Sequence, residues 1–381
     1  MRSLKAFILL LLSTPGLCQL AVRSNEKFDF NRHVSKTSKG TEFLLSNFSG
    51  RKIQFLQRNS TFVKSVPNSE RVLSVSDDGL IYSLSGFEAG SEVDLILKSY
   101  ENIRGAISLK HSLTFSSSVS IATFNNGAFA VIELGEDGGR KIDFFSSDFS
   151  LINEYIPFDG GYSSVNFTVE NNQILLYAMP NQPATSPSLI LMTSGGQLIF
   201  QKALLQDHWV SSILCSSEFQ AISYFSDGNH ISVFSKSGSL LWTRSIDNAV
   251  ANWRFTGDQS TVVVTTHHDL YLIDIKNGAM IGRIKLTDIY DNAGMSRTRR
   301  DNYIQTLGIE SMENSFSFSL LLAEPMGEQD FRNVLLCSFR STSVNDRQVN
   351  KIGNVQTSPI LRSADKTFMV IYDNTIQKYE Y

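Results

Sequence analysis

The chain has 381 residues, a net charge of −3 and an aromatic content dominated by 26 Phe and 12 Tyr. The nearly equal numbers of acidic and basic residues exclude the strongly basic surface typical of nucleic-acid binding, so no nucleic-acid partner is expected. Apolar residues alternate with polar ones over short runs, and almost no run has a period of 3.6, which predicts an all-β fold.

The first eighteen residues have the composition of a signal peptide. Two basic residues precede an apolar run from Ala6 to Leu12, which is shorter than the roughly 20 residues that a membrane-spanning helix needs. Cleavage near Cys18 would leave 19–381 as a mature chain without a membrane span, secreted to an extracellular or periplasmic location. Lipidation of Cys18 is the alternative, although Leu17 is larger than the residue that lipoprotein signals place there.

Five segments of the mature chain can be superposed without a gap. Each reads as an apolar strand, a short polar turn and a second apolar strand, and the five begin at Lys52, Lys141, Ser188, His230 and Leu270. Self-similarity at a period of about 40–50 residues, in units of short strands, is typical of a β-propeller. The segment 19–381 is therefore expected to form a single domain, because a propeller buries each blade against its neighbours.

Each repeat is predicted to hold four strands, named A to D from the central channel outward. The B strands are predicted to begin near Phe43, Gly79, Gly127, Gln173, Ala221, Thr261, Phe318 and Thr367. This count favours eight blades; seven is the alternative, because the second and seventh repeats match the template poorly. The last repeat ends after its third strand, so the segment Glu26–Asn31 is predicted to supply the fourth strand and close the ring.

Two repeats resemble those of quinoprotein-type propellers. Residues 235–245 (SKSGSLLWTRS) contain the turn glycine, the apolar pair and the tryptophan of that repeat, and residues 275–284 match in part, with Gly282 in place of the tryptophan. The resemblance implies a multi-bladed propeller, in a group that includes quinone-dependent dehydrogenases and non-catalytic scaffolds of the bacterial envelope. Those dehydrogenases bind calcium with the quinone and carry a vicinal disulfide. This chain has no adjacent cysteines, so no cofactor is expected.

The two cysteines that follow the leader are predicted to be buried free thiols. Cys215 and Cys337 fall in repeats two apart. Strands of blades that are not neighbours do not meet the Cα separation of roughly 4.4–6.8 Å that a disulfide needs.

The lengths of the predicted connections indicate where a binding surface lies. The A–B and C–D turns are short, whereas the B–C loops at 180–187 and 324–331 and the D–A crossover at 288–302 are long. The B–C and D–A connections share one face of a propeller, called the long-loop face below. Because loops placed by a rigid scaffold carry most binding residues, this face is the predicted binding surface, with neutral surface insertions as the alternative.

The candidate binding residues all lie in predicted connections of the long-loop face: Arg297, Arg299, Arg300, Glu324, His208, His267 and His268. The three arginines suit an anion-binding patch or an R-x-R-R processing site, with a solvated loop as the alternative. The two adjacent histidines are predicted to be exposed, and neighbours that point in different directions are poorly placed for one metal ion. No catalytic or metal-binding motif is present.

Two functions are compatible with these features. The first is a non-catalytic, monomeric scaffold that binds a protein or glycan through the long-loop face. The second is a propeller enzyme of the lactonase, lyase or quinone-dependent oxidoreductase type, with its site at the channel mouth on the same face. The predicted inner strands from Trp209 and Ala249 are apolar, Ser-rich or small, so they lack the carboxylates of a lactonase-type site, and the scaffold is favoured.

Overall fold

The computed structural model describes most of the chain after the predicted leader. The residues described are 19–23, 33–36, 42–47, 52–57, 60–65, 71–85, 95–103, 106–115, 119–134, 139–170, 172–295, 304–325, 331–343, 345–355, 359–364, 367–372 and 375–380. They form 32 strands and one helix of seven residues. The predicted all-β composition is confirmed.

The strands of the first half, in chain order, are β1 (Gln19–Arg23), β2 (His33–Lys36), β3 (Glu42–Asn47), β4 (Lys52–Gln57), β5 (Ser60–Ser65), β6 (Arg71–Val75), β7 (Ile81–Ser85), β8 (Leu95–Ile103), β9 (Ala106–Phe115), β10 (Val119–Thr123), β11 (Phe129–Glu133), β12 (Ile142–Phe145), β13 (Leu151–Tyr155), β14 (Tyr162–Glu170), β15 (Gln173–Pro180), β16 (Ser188–Thr193) and β17 (Leu198–Ala203).

The elements of the second half are β18 (Trp209–Cys215), β19 (Phe219–Phe225), β20 (Asn229–Ser235), β21 (Leu240–Ile246), β22 (Asn252–Phe255), β23 (Thr261–Thr265), β24 (Asp269–Asp274), β25 (Met280–Lys285), α1 (Leu286–Asn292), β26 (Gln305–Ser311), β27 (Phe318–Pro325), β28 (Phe331–Phe339), β29 (Arg347–Val355), β30 (Ile360–Ala364), β31 (Thr367–Tyr372) and β32 (Thr375–Glu380).

The strands are hydrogen-bonded into eight four-stranded antiparallel sheets. Seven sheets use four strands in succession: β2–β5, β6–β9, β10–β13, β14–β17, β18–β21, β22–β25 and β26–β29. The eighth has the order β1-β32-β31-β30. Each predicted B strand is the second strand of one of these sheets.

The eighth sheet takes its outer strand from the N-terminal part of the chain. Strand β1 pairs antiparallel with β32, with Ala21 opposite Gln377. The sequence analysis assigned this role to Glu26–Asn31, a segment outside the described residues. The strand that pairs lies a few residues earlier, at Gln19–Arg23, directly after the predicted signal peptide.

The hydrophobic core is a series of interfaces between consecutive sheets rather than one central cluster. Val263 and Leu272 of one sheet pack with Leu320 and Leu335 of the next, and every one of the four is fully buried. Because a middle strand is covered on both sides, every residue of β23 is buried, whereas the outer strand β25 alternates between half-buried and exposed positions. This burial pattern explains why the B strands are the clearest runs in the sequence.

The repeated turn glycine and the residue in the tryptophan position contact each other across sheets. A Cβ atom built on Gly278 would lie 2.8 Å from the ring of Trp242, and one built on Gly238 would lie 2.7 Å from the ring of Phe200. Both glycines have positive φ, 70° and 78°. The outer strands β17 and β21 therefore each place a ring against the C–D turn of the following sheet, and only glycine leaves room for it.

The D–A crossover between β25 and β26, predicted to be a long loop, begins with the helix α1. Leu286, Ile289 and Tyr290 are fully buried, and their spacing of three and four residues places them on one side of the helix. The hydroxyl of Tyr290 donates to the carbonyl oxygen of Asn333. The apolar spacing thus folds part of this crossover onto the neighbouring sheet.

Candidate functional site

The two kinds of connection lie on opposite faces of the sheets. On one face, the amide of Ser194 in a C–D turn donates to the carbonyl of Asn172 in an A–B turn at 2.8 Å. On the other, the amide of Leu204 in a D–A connection donates to the carbonyl of Pro187 in a B–C loop, also at 2.8 Å. The second is the long-loop face.

An exposed apolar surface occupies the long-loop face of the sheet β18–β21. Trp209 begins β18 and lies directly opposite Phe225, the last residue of β19. Trp209 is 79% exposed, Phe225 54% and the nearby Leu205 63%. These three residues are called the aromatic patch. Single exposed apolar residues are ordinary, but an exposed Trp beside Phe and Leu is typical of an interaction surface.

Stacked rings fix the connections that carry the aromatic patch. The His208 ring stacks on Tyr224 with a centroid separation of 4.1 Å, and Tyr224 stacks on His230 at 5.3 Å. The hydroxyl of Tyr177, from the preceding sheet, lies 3.4 Å from the carbonyl oxygen of His208. His208, a predicted binding residue, is thus largely covered by these contacts, and it supports the connection that leads into Trp209.

Two exposed carboxylates stand beside the aromatic patch. Ser226 Oγ lies 3.4 Å from Asp207 Oδ2 and ties the D–A connection to the B–C turn. His230 Nε2 donates to Asp227 Oδ1 at 3.0 Å, and this hydrogen bond lowers the pKa of Asp227 below its usual value. Asp227 is therefore ionised at neutral pH, and together with Asp207 it gives this part of the face an acidic character.

The adjacent His267 and His268 occupy the B–C turn of the next sheet, and both are exposed, as predicted. The hydroxyl of Thr266 accepts hydrogen bonds from the amides of His268 and Asp269, at 3.2 and 3.1 Å. The amide of Leu286 donates to the carbonyl of His268 at 2.8 Å. The backbone of this turn is therefore held by structural hydrogen bonds.

Of the remaining predicted binding residues, one is buried and three lie outside the described residues. Glu324 lies inside β27 with no exposed surface, and Asn333 Nδ2 is 3.4 Å from its Oε2. The prediction that Glu324 points outward from a loop is therefore wrong. Strand β27 continues to Pro325, because the residues before Glu324 are apolar and packed between sheets. Arg297, Arg299 and Arg300 lie outside the described residues.

A groove crosses the long-loop face between the sheets β10–β13 and β14–β17. It encloses about 290 Å³ and is formed by the D–A connection around Phe158 and Gly160 and the B–C loop around Gln182 and Thr185. The loop at 180–187, predicted to carry binding residues, therefore forms one wall of a concave surface. Pro157 and Pro180 stiffen its two sides.

A second cavity lies at the opposite ends of the inner strands, away from the long-loop face. It has a volume of about 570 Å³ and is lined by the ends of β14, β18, β22, β26 and β30 and by the A–B turns that follow β18, β22 and β26. Arg254 Nη2 lies 3.3 Å from Glu310 Oε2, and the side chains are 40% and 8% exposed. The hydroxyl of Ser363 lies 3.4 Å from the same carboxylate oxygen. Glu170 and Glu313 also line the cavity.

This ion pair is not predicted from the sequence. The charged residues Glu170, Arg254 and Glu310 stand at or near the ends of three inner strands, β14, β22 and β26, a recurrence that could have drawn attention to them. The thiol of Cys215 also lines the cavity, and burial raises its pKa to about 12. A thiol that stays protonated at neutral pH is not a nucleophile.

The described residues contain no cluster of three or more His, Cys, Asp or Glu side chains arranged to hold a metal ion. Both cysteines in this part of the chain are free and buried, as predicted. In the same part of the chain, no helix has the length and apolar character to cross a bilayer.

The fold is that of known β-propellers. BamB from Moraxella catarrhalis superposes with a TM-score of 0.54 at 10% identity, over 96% of this chain and 100% of that chain. The WD40 domain of SCAP from fission yeast superposes with a TM-score of 0.57 at 9% identity, over 95% of this chain and 98% of that chain. The Dos1 propeller gives 0.56 at 9% identity, over 94% and 93%. No protein-family model and no curated protein matches the sequence, so these likenesses establish the architecture alone.

Proposed function

We propose that this protein is a secreted or periplasmic, non-catalytic β-propeller that binds a protein or glycan ligand through its long-loop face. In this proposal the eight sheets are the blades of one ring, closed where β1 completes the last sheet, and residues 1–18 are removed as a signal peptide. The resemblance to quinoprotein-type repeats remains architectural, and the mature chain is a monomer.

The observation that carries the proposal is the aromatic patch. Trp209 and Phe225 are large apolar side chains on the face whose connections are longest, and both are more than half exposed. Exposed aromatic side chains in a fixed position are the residues that contribute most to binding at protein interfaces. The ring stack through His208 and Tyr224 holds their connections in place, which lowers the ordering cost of binding.

The enzyme alternative has less support on this face. Its site would need ionisable groups converging at the channel mouth, and the carboxylates that line a common cavity, Glu170, Glu310 and Glu313, lie at the opposite mouth. There Glu310 is paired with Arg254, and the neighbouring thiol of Cys215 is held protonated by burial. A binding role explains the exposed apolar residues of the long-loop face and requires no reactive group there.

Binding of the purified mature chain to a glycan array and to an immobilised random peptide library tests the proposal. Trp209→Ser should abolish the signals that the wild-type chain gives. Leu240→Ser is the matched control, because Leu240 is 52% exposed but follows a C–D turn on the opposite face. Signals that survive Trp209→Ser, or the absence of any signal from the wild-type chain, would contradict binding through the aromatic patch.

Secretion has its own test. Mass spectrometry of the chain recovered from the medium or periplasm should identify an N-terminal peptide that begins at Gln19, as glutamine or pyroglutamate. A chain that retains its first eighteen residues, or carries a lipid on Cys18, would contradict the proposed processing.

A further inference from the structure

We infer that the occupant of the aromatic patch is a segment of a partner protein in which Lys or Arg side chains flank an apolar side chain. This inference rests on the proposed function, and it names the chemistry of the ligand rather than the surface that binds it. The argument depends on the sheet β18–β21 and the connections on its long-loop face.

The first step is the composition of the surface. Trp209, Phe225 and Leu205 present apolar side chains. A sugar ring stacks on an aromatic face but gains little from an aliphatic side chain such as Leu205, whereas apolar peptide side chains such as Leu, Phe or Met pack favourably on both kinds of group. The mixture of aromatic and aliphatic groups therefore favours an apolar peptide side chain over a glycan.

The second step is the charge beside that apolar surface. Asp207 precedes Trp209 by two residues, and Asp227 follows Phe225 by two residues. Trp209 and Phe225 are opposite each other in the sheet, so the two carboxylates belong to adjacent connections, joined through Ser226. Both carboxylates are solvent-exposed. Acidic groups beside an apolar contact select cationic residues in the partner and repel acidic ones.

The third step is the rigidity of the arrangement. The Asp227 carboxylate accepts a hydrogen bond from His230, whose other ring nitrogen lies 3.2 Å from Ser245 Oγ. The same His230 ring is part of the stack that includes Tyr224 and His208. The stack and these hydrogen bonds hold the two acidic connections in place relative to the apolar side chains. A short peptide segment can therefore contact the apolar side chains and the two carboxylates together, because few groups of this surface lose conformational freedom on binding.

Selection from a phage-displayed random peptide library tests the inference. The wild-type chain is the bait, and the library is first depleted on Trp209→Ser, so that the recovered peptides depend on the aromatic patch. We expect these peptides to be enriched in Lys or Arg within two or three positions of Phe, Leu or Met.

The strongest selected peptide then serves as the probe in fluorescence polarisation. Asp207→Asn/Asp227→Asn should raise its Kd several-fold at 50 mM salt, because the variant removes two exposed carboxylates that pair with the basic side chains of the peptide. The increase should shrink at 500 mM salt, where screening is stronger. Glu218→Gln, which removes one exposed acid paired with Lys236 on the opposite face, is the control and should leave the Kd unchanged.

The outcomes separate the inference from the proposed function. Selected peptides that are acidic or uncharged, an unchanged Kd for the Asn variant, or Trp209-dependent binding to glycans alone would overturn the inference and leave the binding face standing. A wild-type dimer that Trp209→Ser converts to a monomer would identify a second copy of the chain as the occupant, which also overturns it. Failure to enrich any Trp209-dependent peptide or glycan would contradict both.

Discussion

The indole nitrogen of Trp242 donates a hydrogen bond of 2.7 Å to the carbonyl oxygen of Ile275, in the C–D turn of the next sheet. The ring also covers Gly278 in that turn. The relationship recurs where Phe200 covers Gly238 and where Asn153 Nδ2 donates to the carbonyl of Gly196 at 2.6 Å. The residue in the tryptophan position therefore differs in chemical type among these three sheets, but in each of them it contacts the C–D turn of the following sheet.

Gly278→Ala should destabilise the protein by about 2–5 kcal/mol. The new methyl group would meet the Trp242 ring at 2.8 Å, and φ at this position is +70°, so a packing cost of about 1–3 kcal/mol adds to a conformational cost of about 1–2 kcal/mol. Urea unfolding monitored by tryptophan fluorescence measures the change. Gly79→Ala is the matched control, because Gly79 has φ of +80° and no atom within 4 Å of the added Cβ. Equal losses for the two variants would contradict the packing contribution.

A disulfide should form between β1 and β32 when Ala21→Cys and Gln377→Cys are combined in a Cys18→Ser background. The two residues are partners in the antiparallel ladder, where Cα atoms lie roughly 4.5–5.5 Å apart, within the range that a disulfide accepts. Mass spectrometry of the oxidised, non-reduced digest detects the crosslinked peptide. Ala21→Cys with Thr375→Cys is out of register and should not crosslink. If a cysteine placed within Glu26–Asn31 crosslinks to Gln377→Cys instead, the register is wrong.

Alkaline pH should weaken the fold through the two buried thiols. Burial raises the pKa of both Cys215 and Cys337 to about 12, so the folded state favours the protonated thiol. Their contribution is fully present below the unfolded-state pKa of about 8.5 and is lost as the pH rises toward the folded-state value, by up to about 1.4 kcal/mol per pH unit for each thiol. Urea unfolding from pH 8 to 10 should show a steeper fall for the wild-type chain than for Cys215→Ala/Cys337→Ala. Parallel slopes, or alkylation of either thiol in the folded protein at pH 8, would contradict this.

Arg254→Met should cost about 2 kcal/mol of unfolding free energy, because it leaves the buried Glu310 carboxylate without its guanidinium partner. The cost is below the roughly 3–5 kcal/mol of a fully buried pair, since the Arg254 side chain is 40% exposed. Arg254→Met/Glu310→Gln removes both charges and should recover most of the loss. A double-mutant cycle in urea measures the coupling. Strictly additive single-variant losses would show that the two charges do not stabilise each other.

The repeated strands could be predicted from the sequence, but the strand that completes the last sheet could not. Strand β23 is buried at every position, and such a run is visible without knowledge of its neighbours. The outer strand of the last sheet was assigned to Glu26–Asn31, whereas Gln19–Arg23 pairs there. Its short apolar stretch adjoins the apolar leader, so no local pattern separates a strand from the end of a signal peptide.

From the sequence, the candidate binding surface could be predicted only as the long-loop face and not as the individual residues of the aromatic patch. The strand that begins with Trp209 reads as an apolar inner strand, and its first residue is exposed because none of the described elements covers that end of the sheet. Arg254 and Glu310 are 56 positions apart in the sequence, and they meet because the inner strands β22 and β26 pack side by side. The alternation of residues within a single strand does not show which residues of neighbouring sheets form such contacts.

Strand β18 begins at Trp209 in the aromatic patch and ends at Cys215, which lines the cavity at the other mouth. Seven residues at a rise of about 3.3 Å each separate these ends by about 20 Å. An occupant at one end therefore leaves the other end sterically open. Changes at the aromatic patch can therefore be made and measured without direct contact with the residues that line the cavity.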